Sequence, residues 1–135
     1  MGEVRSFRDL IVWQRGIELT LAIYGLTKTF PKEEMFGLTT QLRRAAVSIP
    51  SNIAEGHGRG SRGEYRQFVG VARGSNFEVQ TQLVLVRGLG FGDEKTVTRC
   101  EELSGEVGRM LNSLIASLKV VGSEHLGIEG EMRQV

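Results

Sequence analysis

Apolar residues recur at three- and four-residue steps through four stretches of the chain, and glycine, proline or charged residues separate the stretches. That period is the signature of one buried helical face. In the first stretch Leu10, Trp13, Ile17, Leu21 and Tyr24 form the face. Ser6-x-x-Asp9 ahead of it fits a capping box, and Phe30-Pro31 ends it, because proline disfavours helical geometry in the residue before it. The second stretch runs from about Met35 to about Glu55, with Leu38, Leu42, Ala45, Ile49 and Ile53 as its stripe. Gly56 and Gly58 are placed to end it, since glycine tolerates left-handed geometry at a C-terminal cap. The third opens at Ser61-x-x-Glu64 and reaches about Leu89, with Tyr65, Phe68, Ala72, Val79, Leu83 and Val86 inward. Gly90-Phe91-Gly92 breaks it. The fourth runs from near Asp93 to about Val120, with Cys100, Leu103, Val107, Met110, Leu111, Leu114 and Leu118 inward.

No stretch alternates apolar and polar residues, so no strand is expected. Four helices with short connections predict an all-α fold, an antiparallel up-and-down four-helix bundle over residues 1–121. Residues 122–135 are polar and glycine-rich without a period and are expected to form a disordered tail. Pro50 lies inside the second helix. It removes one backbone hydrogen bond and crowds the preceding turn, at a cost of about 3 kcal/mol. The helix is expected to bend there and to be held by its neighbours.

The third helix carries more than a core stripe. Stepping about 100° per residue, the side opposite the core holds Gly63, Gly70, Gly74, Phe77, Thr81, Val84 and Gly88, without one charge. A helix facing water should be charged there, and each internal glycine costs about 1 kcal/mol against alanine. Gly70, Gly74, Phe77, Thr81 and Val84 are therefore expected to form a subunit interface. Between the two faces, Arg62, Arg66, Arg73 and Arg87 line one edge. Such an edge is either a track for an anionic polymer or a flank that pairs with glutamates of a neighbouring helix or subunit.

Charge sharpens this picture. The 135 residues carry a net charge of only +1, but residues 41–91 carry seven arginines (43, 44, 59, 62, 66, 73 and 87) against Glu55, Glu64 and Glu78, a local balance of +4. No lysine contributes there, and arginine is the better residue for bidentate phosphate or carboxylate contacts. Residues 92–135 balance at −3. One cysteine, Cys100, cannot form an internal disulfide, which suits a reducing compartment. The charged first ten residues lack the apolar centre of a signal peptide, and no apolar run is long enough for a membrane span. A cytoplasmic protein is expected.

Candidate catalytic chemistry is thin. GHGRG at 56–60 follows a helix, whereas a phosphate-binding glycine loop follows a strand. His57 and His125 are too few and too separated for a metal site, and Cys100 lies on an apolar stripe as a buried thiol. No serine or cysteine has a recognisable histidine partner. Neither an enzyme, nor a cofactor, nor a metal is expected.

Asp9-Leu10-x-Val12-Trp13-Gln14, Phe30-Pro31-Lys32-x-Glu34, the run Gln41 to Gly56 (QLRRAAVSIPSNIAEG) and Gly74-Ser75-x-x-Glu78-x-Gln80-Thr81-Gln82-Leu83 together resemble the four-helix bundle family named after proteins encoded in intervening sequences of 23S ribosomal RNA genes. The resemblance covers roughly residues 7–120. It implies an antiparallel bundle that assembles as a ring-shaped homopentamer, and it brings no catalytic residues. A related protein is an accessory factor of diversity-generating retroelements, engaging reverse transcriptase and nucleic acid through a basic surface; the near-neutral charge here departs from it. Two functions are expected from the residues and the resemblance together. One is non-catalytic RNA or DNA binding through Arg43, Arg44, Arg59, Arg62, Arg66, Arg73 and Arg87. The other is a scaffold for a partner protein, such as a polymerase, without direct nucleic-acid contact.

Overall fold

The computed structural model describes residues 3–119. The expected tail, 122–135, and His125 lie outside the described residues. A 3-10 turn at Phe7–Asp9 leads into four α-helices: α1 (Ile11–Thr27), α2 (Leu38–His57), α3 (Arg62–Leu89) and α4 (Glu94–Ser117), with a second 3-10 turn at Lys32–Glu34. No strand occurs among the described residues. Each helix packs on two neighbours in the cyclic order α1, α2, α3, α4. Cross-helix contacts set the directions. Gly16 faces Pro50 while Arg43 reaches Thr27, and Ser48 meets Ser75 while Gly56 meets Tyr65. Arg87 reaches Glu101 while Arg66 reaches Ile115, and Arg15 reaches Glu106 while Arg99 reaches Glu18. Rising numbers meet falling numbers in every pair, so neighbours are antiparallel.

The caps follow local chemistry. Ser61 accepts from the Glu64 N–H at 3.1 Å and opens α3 as expected. Asp93 opens α4, accepting from the Thr96 N–H and hydroxyl at 2.9 Å each. The Ser6–Asp9 box is present, but it caps the 3-10 turn; α1 starts at Ile11 with no side-chain cap. α2 starts at Leu38, three residues later than the pattern implied, because Lys32–Glu34 forms its own turn and Glu34 Oε1 receives the Leu38 N–H at 3.1 Å.

Two expectations are corrected. The buried face of α1 is Val12, Gly16, Leu19, Ile23 and Leu26, not the stripe of larger side chains. Leu21 is 67% exposed, Tyr24 is also exposed, and Trp13 and Ile17 are half-buried. The reason is close approach: Gly16 sits against Ile49 and Pro50 of α2, and the large stripe turns outward. Gly56 does not end α2. The helix runs on to His57, and Gly56 is buried where a Cβ would lie 2.6 Å from Phe68 Cβ, so it is the point of closest approach to α3. Gly58 is the cap, but with right-handed geometry (φ −81°); the left-handed cap is Gly90 (φ 74°), closing α3.

Pro50 is buried within a helix that continues on both sides of it. Having no N–H, it leaves the Ala46 carbonyl without its usual partner. Thr20 of α1 supplies the replacement: its hydroxyl lies 3.1 Å from the Ala46 carbonyl and 2.8 Å from that of Gly16, sharing one proton between them. On the far side of the core, Asn76 of α3 and Ser104 of α4 exchange two buried hydrogen bonds, Asn76 Nδ2 to the Ser104 carbonyl (3.0 Å) and Ser104 Oγ to Asn76 Oδ1 (2.7 Å).

Candidate interaction surfaces on the second and third helices

The arginine edge of α3 faces α4, and its side chains are occupied there. Arg62 donates to the carbonyls of Ser117 and Lys119, and Arg66 Nε donates to that of Ile115 at 3.1 Å. Ile115 and Ser117 lie in the last turn of α4 and Lys119 just beyond it, where the macrodipole is negative and a cation is favoured. Arg73 donates to Asn112 Oδ1 at 3.2 Å. Arg87 grips Glu101 with two parallel bonds (2.7 and 2.8 Å), and also holds Glu94 and Thr98. Those carboxylates raise the Arg87 guanidinium, and Arg87 holds the Glu101 carboxyl below its usual range. Of these four arginines only Arg87 pairs with glutamates; Arg62, Arg66 and Arg73 meet carbonyl and amide oxygens of α4 and the residues just after it.

The other three arginines differ. Arg59 stacks over Phe68, 4.9 Å from the ring centroid, and stands 3.9 Å from both Glu55 and Glu64. Arg43 donates through Nε to Thr27 Oγ1 (2.8 Å) and lies over the Tyr24 ring at 4.5 Å. Arg44 is exposed and makes no hydrogen bond or ion pair among the described residues. Arg43 and Arg44 share an open hollow of about 590 Å³ on the outer side of α2, with Thr40, Ser51, Asn52 and Tyr24 around it. A second hollow, of about 320 Å³, lies in the groove between α2 and α3. Arg44 and Gln41 stand on one wall and Glu78 on the other, and the Ser48 and Ser75 hydroxyls, 2.8 Å apart, meet within it.

The uncharged face of α3 points away from the core. Phe77 is 54% and Val84 68% exposed, and Cβ atoms added at Gly70, Gly74 or Gly88 would meet nothing within 4 Å. Thr81 is exposed beside them. The face is also wider than the sequence pattern suggested, because Val71, Leu85 and Leu89 are each at least half exposed next to it. These three sit between core and outer face on the wheel, so periodicity alone left them unassigned. On the opposite side of α2, Trp13, Ile17, Val47, Pro50 and Ala54 line a shallow apolar groove toward α1.

The remaining candidate groups have structural surroundings. Cys100 is fully buried, and burial pushes its thiol up to about 11. His57 lies edge-on to Tyr65 at 5.5 Å. Among the described residues no cluster of histidine, cysteine or carboxylate side chains is arranged to hold a metal, and no helix is long and apolar enough to cross a membrane.

A family model for the 23S rRNA-intervening sequence protein matches residues 8–113, which takes in α1, α2, α3 and most of α4. The chain belongs to this family. A crystal structure of a protein of unknown function from the S23 ribosomal protein family of Bacteroides thetaiotaomicron VPI-5482 superposes with a TM-score of 0.69 at 21% identity, over 77% of this chain and 97% of that one. No curated protein matches.

Proposed function

We propose that this member of the family is a non-catalytic, self-associating scaffold in the cytoplasm. Its copies meet through the outer face of α3 in a homo-oligomeric ring, a homopentamer by the family resemblance, and the ring offers its surface to a partner protein. One observation carries this reading: Phe77, Val84, Val71, Leu85 and Leu89 are exposed on one helix, with Gly70, Gly74, Thr81 and Gly88 beside them and Glu78 the charge among them. Contiguous apolar surface of this kind marks an interaction site, and the small residues let a second helix approach closely. Packing from both sides would also hold α2 in a bend at Pro50. The lone, deeply buried Cys100 suits a reducing compartment.

The test is the mass of the assembly. Phe77→Asp places a charge inside the interface, and Gly74→Arg blocks close approach; both should dissociate the oligomer while leaving the helical content of the chain unchanged. Sedimentation showing the same assembly in both variants would move the interface elsewhere.

A second reading, RNA or DNA binding, is supported by the hollow that holds Arg43 and Arg44 among hydroxyl and amide groups. Arg59 adds a third guanidinium at the far end of α2. Arg62, Arg66, Arg73 and Arg87 contribute less, since contacts to α4 already occupy them. RNA titrated at several salt concentrations separates the two readings. Phosphate contacts predict affinity that falls linearly in log–log form, and Arg43→Glu with Arg44→Glu should remove it. No binding at low salt discards this reading.

A further inference from the structure

Four arginines of the bundle find carboxylates. Arg15 pairs with Glu18 and Glu106, Arg99 with Glu18, Arg87 with Glu94 and Glu101, and Arg59 stands near Glu55 and Glu64. Arg44 and Glu78 do not pair, although they share a hollow. They stand on opposite walls of one groove between α2 and α3, yet no ion pair within 4 Å links them, and neither has another partner among the described residues. Ala45, Ser48 and Ser75 complete its lining with small side chains, and the two serine hydroxyls satisfy each other at 2.8 Å.

The position of Glu78 makes this consequential. It follows Phe77 directly and is the charged residue set among Phe77, Val71, Gly74 and Leu85 on the outer side of α3. Covering that side takes Glu78 out of water. A carboxylate buried without a partner costs several kcal/mol, whereas one that meets a guanidinium with good geometry recovers most of that cost. The chain carries a matching guanidinium at the same surface: Arg44 is exposed and makes no hydrogen bond or ion pair among the described residues, with Val47 and Ser51 on one side of it and Glu78 across the groove on the other. Arginine's planar fork suits a carboxylate at an interface better than lysine's point charge.

We infer that Arg44 of one copy pairs with Glu78 of the next, and that this pair sets the register in which two copies dock. The occupant of the groove is thus a second copy of this chain. In a two-fold dimer the pair forms twice per interface; in a ring it forms once per contact and recurs around the circle. The inference rests on the self-association proposed above and adds to it the charge pair that fixes the docking position. Apolar area alone would tolerate sliding of one helix along another, and a charge pair flanked by apolar surface does not, since displaced partners each lose their counter-charge.

Charge exchange tests it. Arg44 and Glu78 are exposed and unpaired among the described residues, so Arg44→Glu, Glu78→Arg and the double exchange Arg44→Glu/Glu78→Arg should all fold, which circular dichroism and thermal melting check. Analytical ultracentrifugation across a concentration series then reads the assembly. Each single reversal sets like charges face to face and should weaken association by about tenfold or more. The double exchange should restore it, because the pair is recreated with its ends swapped. In a two-fold interface a mixture of the two single variants should recover association at both contacts, because the copy with two glutamates meets the copy with two arginines. Single variants that assemble as tightly as the native chain overturn the inference and leave the α3 interface standing. So does a double exchange that stays as weak as the singles. A native chain that is monomeric at every concentration overturns both. Loss of RNA binding in Arg44→Glu, with assembly unchanged, assigns Arg44 to phosphate instead.

Discussion

Pro50 and Gly56 look alike in the sequence, as residues that should interrupt a helix, and the structure gives each a partner across a helix boundary. The Ala46 carbonyl that Pro50 cannot satisfy is served by the Thr20 hydroxyl of α1. Thr20→Val keeps the shape and removes the donor, so it should destabilise the chain by about 1 kcal/mol, read as a shift in the urea midpoint at unchanged slope. An unchanged midpoint would show that the carbonyl has other means of satisfaction. At Gly56 the ordinary rule reverses sign. Alanine for glycine inside a helix normally stabilises by about 0.5–1 kcal/mol, and it should do so at Gly25, where a Cβ meets open space. At Gly56 the added Cβ would press on Phe68 Cβ and on Tyr65, with an overpacking cost of about 1–3 kcal/mol. Gly56→Ala should therefore lower the melting temperature while Gly25→Ala raises it. Equal effects at the two sites would contradict the close approach. The sequence showed that Pro50 needed support and not which residue supplies it, because Thr20 lies 30 positions away with no pattern linking the two.

The helices themselves were largely legible, since periods, glycines and caps placed all four within a few residues. What the period could not settle was which of two apolar stripes faces inward. α1 carries both, and the stripe with larger side chains lost to the one containing Gly16, where α2 comes near. The arginine edge of α3 was legible as an edge, but its partners lie on α4 and depend on how the two helices are rotated. That rotation gives α3 the task of tying down both ends of α4: Arg62 and Arg66 at its last carbonyls, Arg87 at its first turns. Acid should loosen the first end. Thr96 holds Asp93, and Arg87 holds Glu101, below the ordinary carboxyl values of about 3.9 and 4.3. Groups lowered in the folded chain contribute stability that is complete above those values and lost as pH falls through the folded ones. The melting temperature should therefore drop on going from about pH 5 to pH 3, and Asp93→Asn with Glu101→Gln should flatten part of that drop. A drop of equal size in the double variant would place the sensitive carboxylates elsewhere.

The whole molecule is divided by charge. On the α1–α4 side Arg15, Arg99, Glu18 and Glu106 form a partly exposed network, the usual dress of a surface in water. On the outer sides of α2 and α3, Val47, Val71, Phe77, Val84, Leu85 and Leu89 are exposed, and Arg44 and Glu78 near them have no ion pair among the described residues. The self-associating scaffold proposed here rests on that difference between the two sides. Sedimentation equilibrium of the native chain at physiological salt, run beside Phe77→Asp, tests it most directly. The account predicts a native mass that is a whole multiple of one chain and a variant mass of a single chain. A native protein that sediments as a monomer, with Phe77 open to water, would contradict it.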